Sequence, residues 1–172
     1  MNRKPVPVFL VGIVTLLFSG IAAAQAPEAR NFVAHLAGDN EVPPRETRGV
    51  GQAIFKVNPE ETEVRYKLIA SNIENVVASH IHLGAADVNG PVVAFLAGPF
   101  PAAGGRTDGV LAEGTITAAH LVGPLEGQDL SVLVAAMRTG GAYVNVHTND
   151  GVDPTNTGPG DFPGGEIRGQ IR

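Results

Sequence analysis

The feature that most constrains the fold of this chain is a series of short segments in which polar and apolar residues alternate. In the clearest of them, Glu63–Ala70, Val64 and Leu68 fall on one side of an extended backbone, while Arg65 and Lys67 fall on the other. This period of two is typical of a strand with one buried face and one face in water. The segments are separated by Gly- and Pro-rich turns, which together predict an all-β fold, an antiparallel Greek-key β-sandwich.

Eight segments are predicted to be strands. They are Phe32–Gly38, Gln52–Val57, Glu63–Ala70, Val76–Leu83, Pro91–Leu96, Val110–Thr117, Ala142–Thr148 and Glu166–Arg172. Two connections are long, Ala97–Gly109 and Asn149–Gly165, and such loops in a compact domain are either binding loops or mobile segments. The acidic part of the second, Asn149–Asp161, could take up calcium weakly.

One helix is predicted among the strands, over Asp129–Arg138. Its apolar residues recur at i, i+3, i+4 and i+7, which are Leu130, Leu133, Val134 and Met137. Asp129 can cap its start and Gly140 can end it in a left-handed conformation. We expect this short helix to cover one open end of the sandwich. A shorter turn beginning at Thr117 would carry His120.

The first 24 residues have the pattern of a secretory signal peptide. Arg3 and Lys4 precede an almost wholly apolar run that ends in small residues, which predicts cleavage after Ala24. Residues 25–31 then form a flexible lead-in and residues 32–172 the domain. The alternative is a retained membrane anchor, because the apolar run approaches the roughly 20 residues that span a bilayer. Both interpretations predict export, and cleavage predicts a secreted or periplasmic protein that is not held in the membrane.

Charge and cysteine content exclude several classes of function. The formal net charge is −5 and becomes more negative once the two basic residues of the leader are removed. Nucleic acids and anionic membrane surfaces are therefore not expected as partners, because Lys and Arg supply the affinity for both. With no cysteine in the chain, thiolate metal sites and cysteine nucleophiles are excluded. The sequence motifs of hydrolase elbows, phosphate loops and dinucleotide sites are also missing, so no catalytic residue is predicted.

Three histidines form the most chemically suggestive set. His80 and His82 lie at i and i+2 of a predicted strand, so both side chains leave the same face, roughly 6.5–7 Å apart. His147 shares a face of its own strand with Tyr143 and Asn145. If the two faces coincide, three neutral imidazoles could hold copper or zinc. The alternative is a buried hydrogen-bond network of the same side chains that joins the sheets without a metal.

Other polar residues have simpler interpretations. His35 and His120 are expected on the surface, and Glu41 belongs to a strand-ending turn. Glu166 and Arg168 are predicted to point outward from the last strand and to form a cross-strand ion pair. Residues 87–90 are expected to form a turn of the hairpin type.

Five stretches, in order, resemble the CHRD (chordin) domain family. They are Phe32–Gly38 with Asn40–Pro44, then Ser79–Gly84, Asn89–Val93, Tyr143–Thr148 and Gly165–Ile171. The resemblance implies a β-sandwich similar to immunoglobulin domains or to Cu,Zn superoxide dismutase. The His-x-His pair is similar to the copper-binding pair of such dismutases, but the bridging histidine and the zinc loop of that family have no match here.

Three functions remain open. The first is an exported binding protein that holds a mononuclear copper or zinc ion at His80, His82 and His147. The second is a metal-free structural or interaction module with an extracellular or periplasmic protein partner, as the repeats of chordin suggest. The third is a redox enzyme similar to superoxide dismutase, which the missing ligands make the weakest of the three.

Overall fold

The computed structural model describes Met1 and residues 28–172. The predicted leader beyond Met1 and the first part of the predicted lead-in lie outside the described residues, so signal peptide and export remain predictions. In the part of the chain that is described, no helix is long and apolar enough to cross a membrane.

The described residues form one antiparallel sheet of eight strands. In chain order the strands are β1 (Asn31–Ala37), β2 (Val50–Val57), β3 (Val64–Glu74), β4 (Val76–Leu83), β5 (Val92–Ala97), β6 (Arg106–Ile116), β7 (Ala142–Thr148) and β8 (Ile167–Gln170). Their spatial order is β5-β4-β7-β8-β1-β2-β3-β6. The sheet folds back on itself as a nearly closed sandwich, and the Tyr66 hydroxyl of β3 donates to the Leu96 carbonyl of β5 at 2.7 Å across it. The predicted all-β sandwich is confirmed.

Alternating side chains of most strands fill the interior, to which β6 contributes chiefly Ile116. Phe55, Leu68, Ile81, Val144 and Ile167 are fully buried there. Burial of this continuous apolar interior is the main source of the fold's stability, at roughly 25 cal/mol per Å² removed from water. No disulfide assists, because the chain has no cysteine.

The predicted helix is α1 (Leu130–Arg138), and the four apolar residues that predicted it are all buried. Gly140 follows with φ +68°, which gives the helix its left-handed end. Asp129 stands at the N-cap position, although its side chain makes no capping hydrogen bond. Short 3-10 turns occupy Gly38–Asn40, Ala118–His120 and Gly123–Leu125, and the second carries His120 as expected.

One edge of the sheet is covered by a passing segment. Leu121 forms an isolated bridge with Ala94 of β5. The next amide, from Val122, donates to the Val93 carbonyl at 3.0 Å. The outer backbone of β5 is therefore partly paired.

The prediction of a loop over Ala97–Gly109 is wrong for the second half of that segment. β6 begins at Arg106, where Arg106 and Thr107 pair with Glu74 and Ile73 of an equally extended β3. The alternation of polarity fails here because both faces of this end of β6 are exposed or half-exposed. The connection is thereby reduced to residues 98–105.

The two halves of the sheet present different outer surfaces. We call the outer surface of β2, β3 and β6 the charged face, with Lys56, Arg65, Lys67 and Glu113, all exposed. We call the outer surface of β4, β7 and β8 the histidine face, with His80, His82, Tyr143, Asn145, His147 and Arg168. Loops fold over the histidine face, and the candidate site lies there.

Candidate metal site

The register of β4 and β7 brings the three histidines together. His80 lies opposite Asn145, and His82 opposite Tyr143. The same register continues without a break to Ala78, which lies opposite His147. The three side chains therefore share one face, as the sequence predicts, and one ring nitrogen from each lies within 4.8 Å of the others.

Backbone carbonyls orient two of the rings. Nδ1 of His82 lies 2.9 Å from the Gly90 carbonyl oxygen, and Nδ1 of His147 lies 2.8 Å from that of Pro163. A carbonyl only accepts, so both Nδ1 atoms carry the proton of the neutral imidazole. Nε2 of each ring is therefore left with a free lone pair, which is the arrangement that metal-ligating histidines use.

The third ring closes the cluster. Nδ1 of His80 lies 3.0 Å from Nε2 of His147. Since that Nε2 has a lone pair, the Nδ1–H of His80 donates to it. Nε2 of His82 is buried without a hydrogen-bond partner. Of the two Nε2 lone pairs whose rings are oriented by carbonyls, that of His147 is satisfied by His80 and that of His82 is left without a partner, at a free-energy cost of about 1–3 kcal/mol.

A metal ion fits this donor set. It would accept lone pairs from Nδ1 of His80 and from Nε2 of His82 and His147, at bonds of about 2.0–2.1 Å. The proton on Nδ1 of His80 would move to Nε2 of the same ring, which keeps that imidazole neutral. Only small ring movements would be needed, because the nitrogens already lie within 4.8 Å of each other. Three imidazoles without a thiolate or carboxylate suit copper or zinc.

Burial keeps the three histidines neutral. It lowers the pKa of His80 to about 4, with smaller contributions from His147 and His82. It also lowers the pKa of His82 and that of His147, although their backbone hydrogen bonds act in the opposite direction. At neutral pH protons therefore do not compete for the lone pairs that would bind an ion.

Aromatic rings hold the cluster on two sides. The Tyr143 ring stacks on His82 at 4.8 Å between centroids and 8° between planes. Its hydroxyl accepts from the Gly90 amide at 3.1 Å, so it supports the same turn that orients His82. Phe95 meets His80 edge-on at 4.9 Å and is half-exposed. The site is therefore rigid beneath and close to solvent at His80.

Arg168 does not form the predicted ion pair with Glu166. Its side chain is 1 % exposed, and Cζ lies 3.4 Å from the centroid of the Tyr143 ring. It donates to the carbonyls of Ala85 and Val88, each at 2.9 Å. The prediction is wrong because the turn after β4 covers this part of the outer surface, and strand periodicity gives no sign of such a cover.

Glu166 is also buried and has other partners. Its carboxylate accepts from the hydroxyls of Thr47 and Thr148 and from the Gly160 amide, the last two at 2.6 and 2.8 Å. The carboxylate joins the loop before β2 to the loop before β8. The second of these loops, predicted as either binding or mobile, supplies the Pro163 carbonyl to the site.

Glu41, which the sequence pattern assigns to a strand-ending turn, is buried in this region, and that burial was not predicted. It follows the turn after β1 and is 5 % exposed, with Oε1 unpartnered. Burial raises the pKa of Glu41 to about 7, against the lowering effects of Arg168, Arg45 and Asn145. It lies in one of the stretches that resemble the CHRD family, but residue alternation carries no information in a turn, so its burial could not be predicted.

The remaining candidates lie apart from the cluster. His35 is exposed on β1 and His120 on its 3-10 turn, where the imidazole caps Thr117, as predicted. Residues 85–90 form the expected turn. Within residues 28–172, the three histidines form the one group of His, Asp or Glu side chains close enough to hold an ion, and the acidic residues of the Asn149–Gly165 segment do not come together.

Comparison with known proteins is consistent with this architecture. The sequence model of the CHRD domain matches residues 32–171, nearly the whole part of the chain that the structure describes. No curated protein matches the chain.

Proposed function

The chain belongs to the CHRD domain family, and on this premise we propose that it is an exported binding protein that holds one copper or zinc ion. The ligands are His80, His82 and His147, and export is proposed from the leader pattern of residues 1–24. The observation that carries the proposal is the convergence of three imidazoles, one nitrogen of each within 4.8 Å of the others, on a face where Nε2 of His82 is buried without a hydrogen-bond partner.

The surrounding residues support this role by fixing the ligands before an ion arrives. The carbonyls of Gly90 and Pro163 hold the Nδ1 protons, so Nε2 of His82 and of His147 stay available. Tyr143 restrains the His82 ring from its face. A preorganised set of this kind gives affinity because little side-chain freedom is lost on binding.

The test is elemental analysis of protein that carries no histidine tag and has been exposed to copper and zinc before desalting. We expect about one ion per chain, lost in His82→Ala with the fold intact by circular dichroism. His35→Ala is the matched control, since His35 is an exposed histidine of the same sheet. Absence of retained metal in the wild type, or equal retention by His82→Ala, contradicts the proposal. If copper is retained, the copper-loaded protein is next assayed for superoxide turnover.

A metal-free interaction module is the second candidate. CHRD domains are generally protein-interaction modules, and the His80–His147 hydrogen bond of 3.0 Å lets the cluster act in part as internal scaffolding. On this hypothesis no metal is retained. His80→Ala then destabilises the fold by about 1–3 kcal/mol because His147 loses its partner, and the search turns to extracellular or periplasmic proteins.

A further inference from the structure

A buried positive charge lies one aromatic ring away from the candidate ligands. The Arg168 guanidinium lies over Tyr143, and Tyr143 stacks on His82. Because β7 lies between β4 and β8, Arg168 and His82 approach the Tyr143 ring from opposite sides. Only the Tyr143 ring separates the two groups, because Cζ of Arg168 lies 3.4 Å from its centroid and the His82 ring stacks at 4.8 Å from it.

Negative charge does not offset it at the ligands. Among the described residues, no carboxylate belongs to the group of side chains close enough to hold an ion, and the hydrogen bonds of the three imidazoles go to two backbone carbonyls and to one another. The Glu166 carboxylate is bound by two hydroxyls and an amide. Glu41 is close to Arg168, but its raised pKa of about 7 leaves it only partly ionised at neutral pH. An ion at the histidines would therefore be held by neutral ligands near a cation.

Such surroundings penalise a second positive charge on the ion. Repulsion from Arg168 doubles when the charge of the ion doubles, and the cost of removing an ion from water rises with the square of its charge. Three neutral imidazoles do not offset the charge of an ion, so the excess positive charge that stays buried is larger for a dication than for a monovalent ion. Among the metals that imidazole suits, copper is the one with a stable monovalent state.

We infer that the site selects the cuprous ion, Cu⁺, over Cu²⁺ and Zn²⁺, and that the charge of Arg168 sets this preference. The inference rests on the proposed function, since it concerns the same three histidines. Cu²⁺ that enters the site takes one electron from an external one-electron reductant, such as ascorbate, and becomes Cu⁺. The three nitrogen ligands are the same in both states.

The experiment measures the affinity for each ion separately. Untagged protein expressed from the full sequence is titrated with Cu⁺ under ascorbate and without oxygen, against a chromophoric Cu⁺ chelator. Cu²⁺ and Zn²⁺ are titrated against chelators of known affinity. We expect Cu⁺ to bind at least about 100-fold more tightly than either dication, a difference of about 2.7 kcal/mol. Equal or tighter binding of a dication overturns the inference while the metal site stands, and no binding of any ion overturns both.

Variants of Arg168 test the cause. Arg168→Met removes the charge and keeps much of the stem, so the Cu⁺ to Cu²⁺ affinity ratio should fall about tenfold, which is the order expected for one charge at this separation in a protein interior. Arg168→Lys keeps the charge and should retain most of the ratio. Arg65→Met on the charged face should leave it unchanged. If Arg168→Met does not fold, Arg168→Lys tests the cause alone. Because this variant keeps the positive charge, a large fall in its Cu⁺ to Cu²⁺ affinity ratio would contradict the role assigned to that charge.

Discussion

The charged face and the histidine face are the two outer surfaces of one sheet, yet they treat polar side chains in opposite ways. On the charged face Lys67 and Glu113 are cross-strand neighbours with nitrogen and oxygen 3.8 Å apart, and both remain largely exposed. On the histidine face Glu166 and Arg168 are removed from water almost completely. Outward direction in the sheet therefore does not mean contact with solvent.

Loops make the difference. The turn after β1 supplies Glu41, and the turn after β4 supplies the carbonyls around Arg168. The segment before β8 supplies the Pro163 carbonyl. These loops are ordered because buried charges and carbonyls from different loops satisfy one another, and a buried polar group without a partner is costly. A surface pair in water contributes only about 0–1 kcal/mol. The histidine face should accordingly be far more sensitive to substitution than the charged face.

The largest expected contrast comes from deleting a carboxylate on each face. Glu166→Ala should lower the free energy of unfolding by about 4 kcal/mol, because Thr47, Thr148 and the Gly160 amide all lose a charged acceptor in a buried place. Glu113→Ala, the control on the charged face, should change it by less than about 0.5 kcal/mol. Urea denaturation of both variants measures the two values. Comparable losses would remove the distinction between the faces.

The second contrast concerns pH. The pKa of Glu41 is raised from 4.5 to about 7, chiefly by burial, so the folded state binds its proton more tightly than the unfolded state. This tighter proton binding contributes fully to the free energy of unfolding below about pH 4.5, and the contribution is lost as pH rises through 7. Glu41→Gln cannot lose a proton, so between pH 4.5 and 8 its stability should improve relative to wild type by about 3 kcal/mol.

Denaturation of wild type and Glu41→Gln at several pH values tests this slope. Glu113→Gln is the control, because its carboxyl lies in water on the charged face, and its difference from wild type should stay nearly constant over the same range. A constant difference for Glu41→Gln as well would show that Glu41 does not titrate in the buried state assigned to it.

The smallest contrast compares two glycines with nearly the same positive φ. Gly165 has φ +124° and Gly109 on β6 has φ +123°. A Cβ at Gly165 would lie 2.9 Å from Cδ of Glu41 and 3.0 Å from Nδ2 of Asn145, whereas one at Gly109 meets no atom within 4 Å. Gly109→Ala should cost about 1 kcal/mol through backbone strain, and Gly165→Ala about 2 kcal/mol more through crowding.

Chemical denaturation midpoints of the two alanine variants give this difference directly, since the denaturant dependence should be the same for both. Equal midpoints would mean that Glu41 and Asn145 move aside freely and that the histidine face is less tightly packed than its burial indicates.

The same contrast explains what could be predicted from the sequence. On β3 the alternation of Val64 and Leu68 with Arg65 and Lys67 was correct, because nothing covers the outer surface there. On β8 the alternation identified the correct face for Arg168, but the inferred exposure and ion pair were wrong. Periodicity reports the side of a sheet on which a residue lies. It does not report what the rest of the chain places over that side.

The histidine cluster could be predicted only in part from the sequence, for the same reason. The i, i+2 spacing of His80 and His82 is a local fact, and the shared face with His147 followed from the pairing of two strands that were both predicted. The orienting carbonyls and Glu41 come from loops, whose paths depend on the whole fold. The metal itself remains a prediction for the titrations to decide.

The segment that bridges Ala94 and Val93 of β5 has a further consequence, for behaviour at high concentration. A strand with an unpaired outer backbone can be extended by a second copy of the chain, and repetition of that step leads to fibrils. Leu121 and Val122 already occupy part of that row of hydrogen-bonding groups. The chain thereby blocks part of one route to self-polymerisation with two of its own residues.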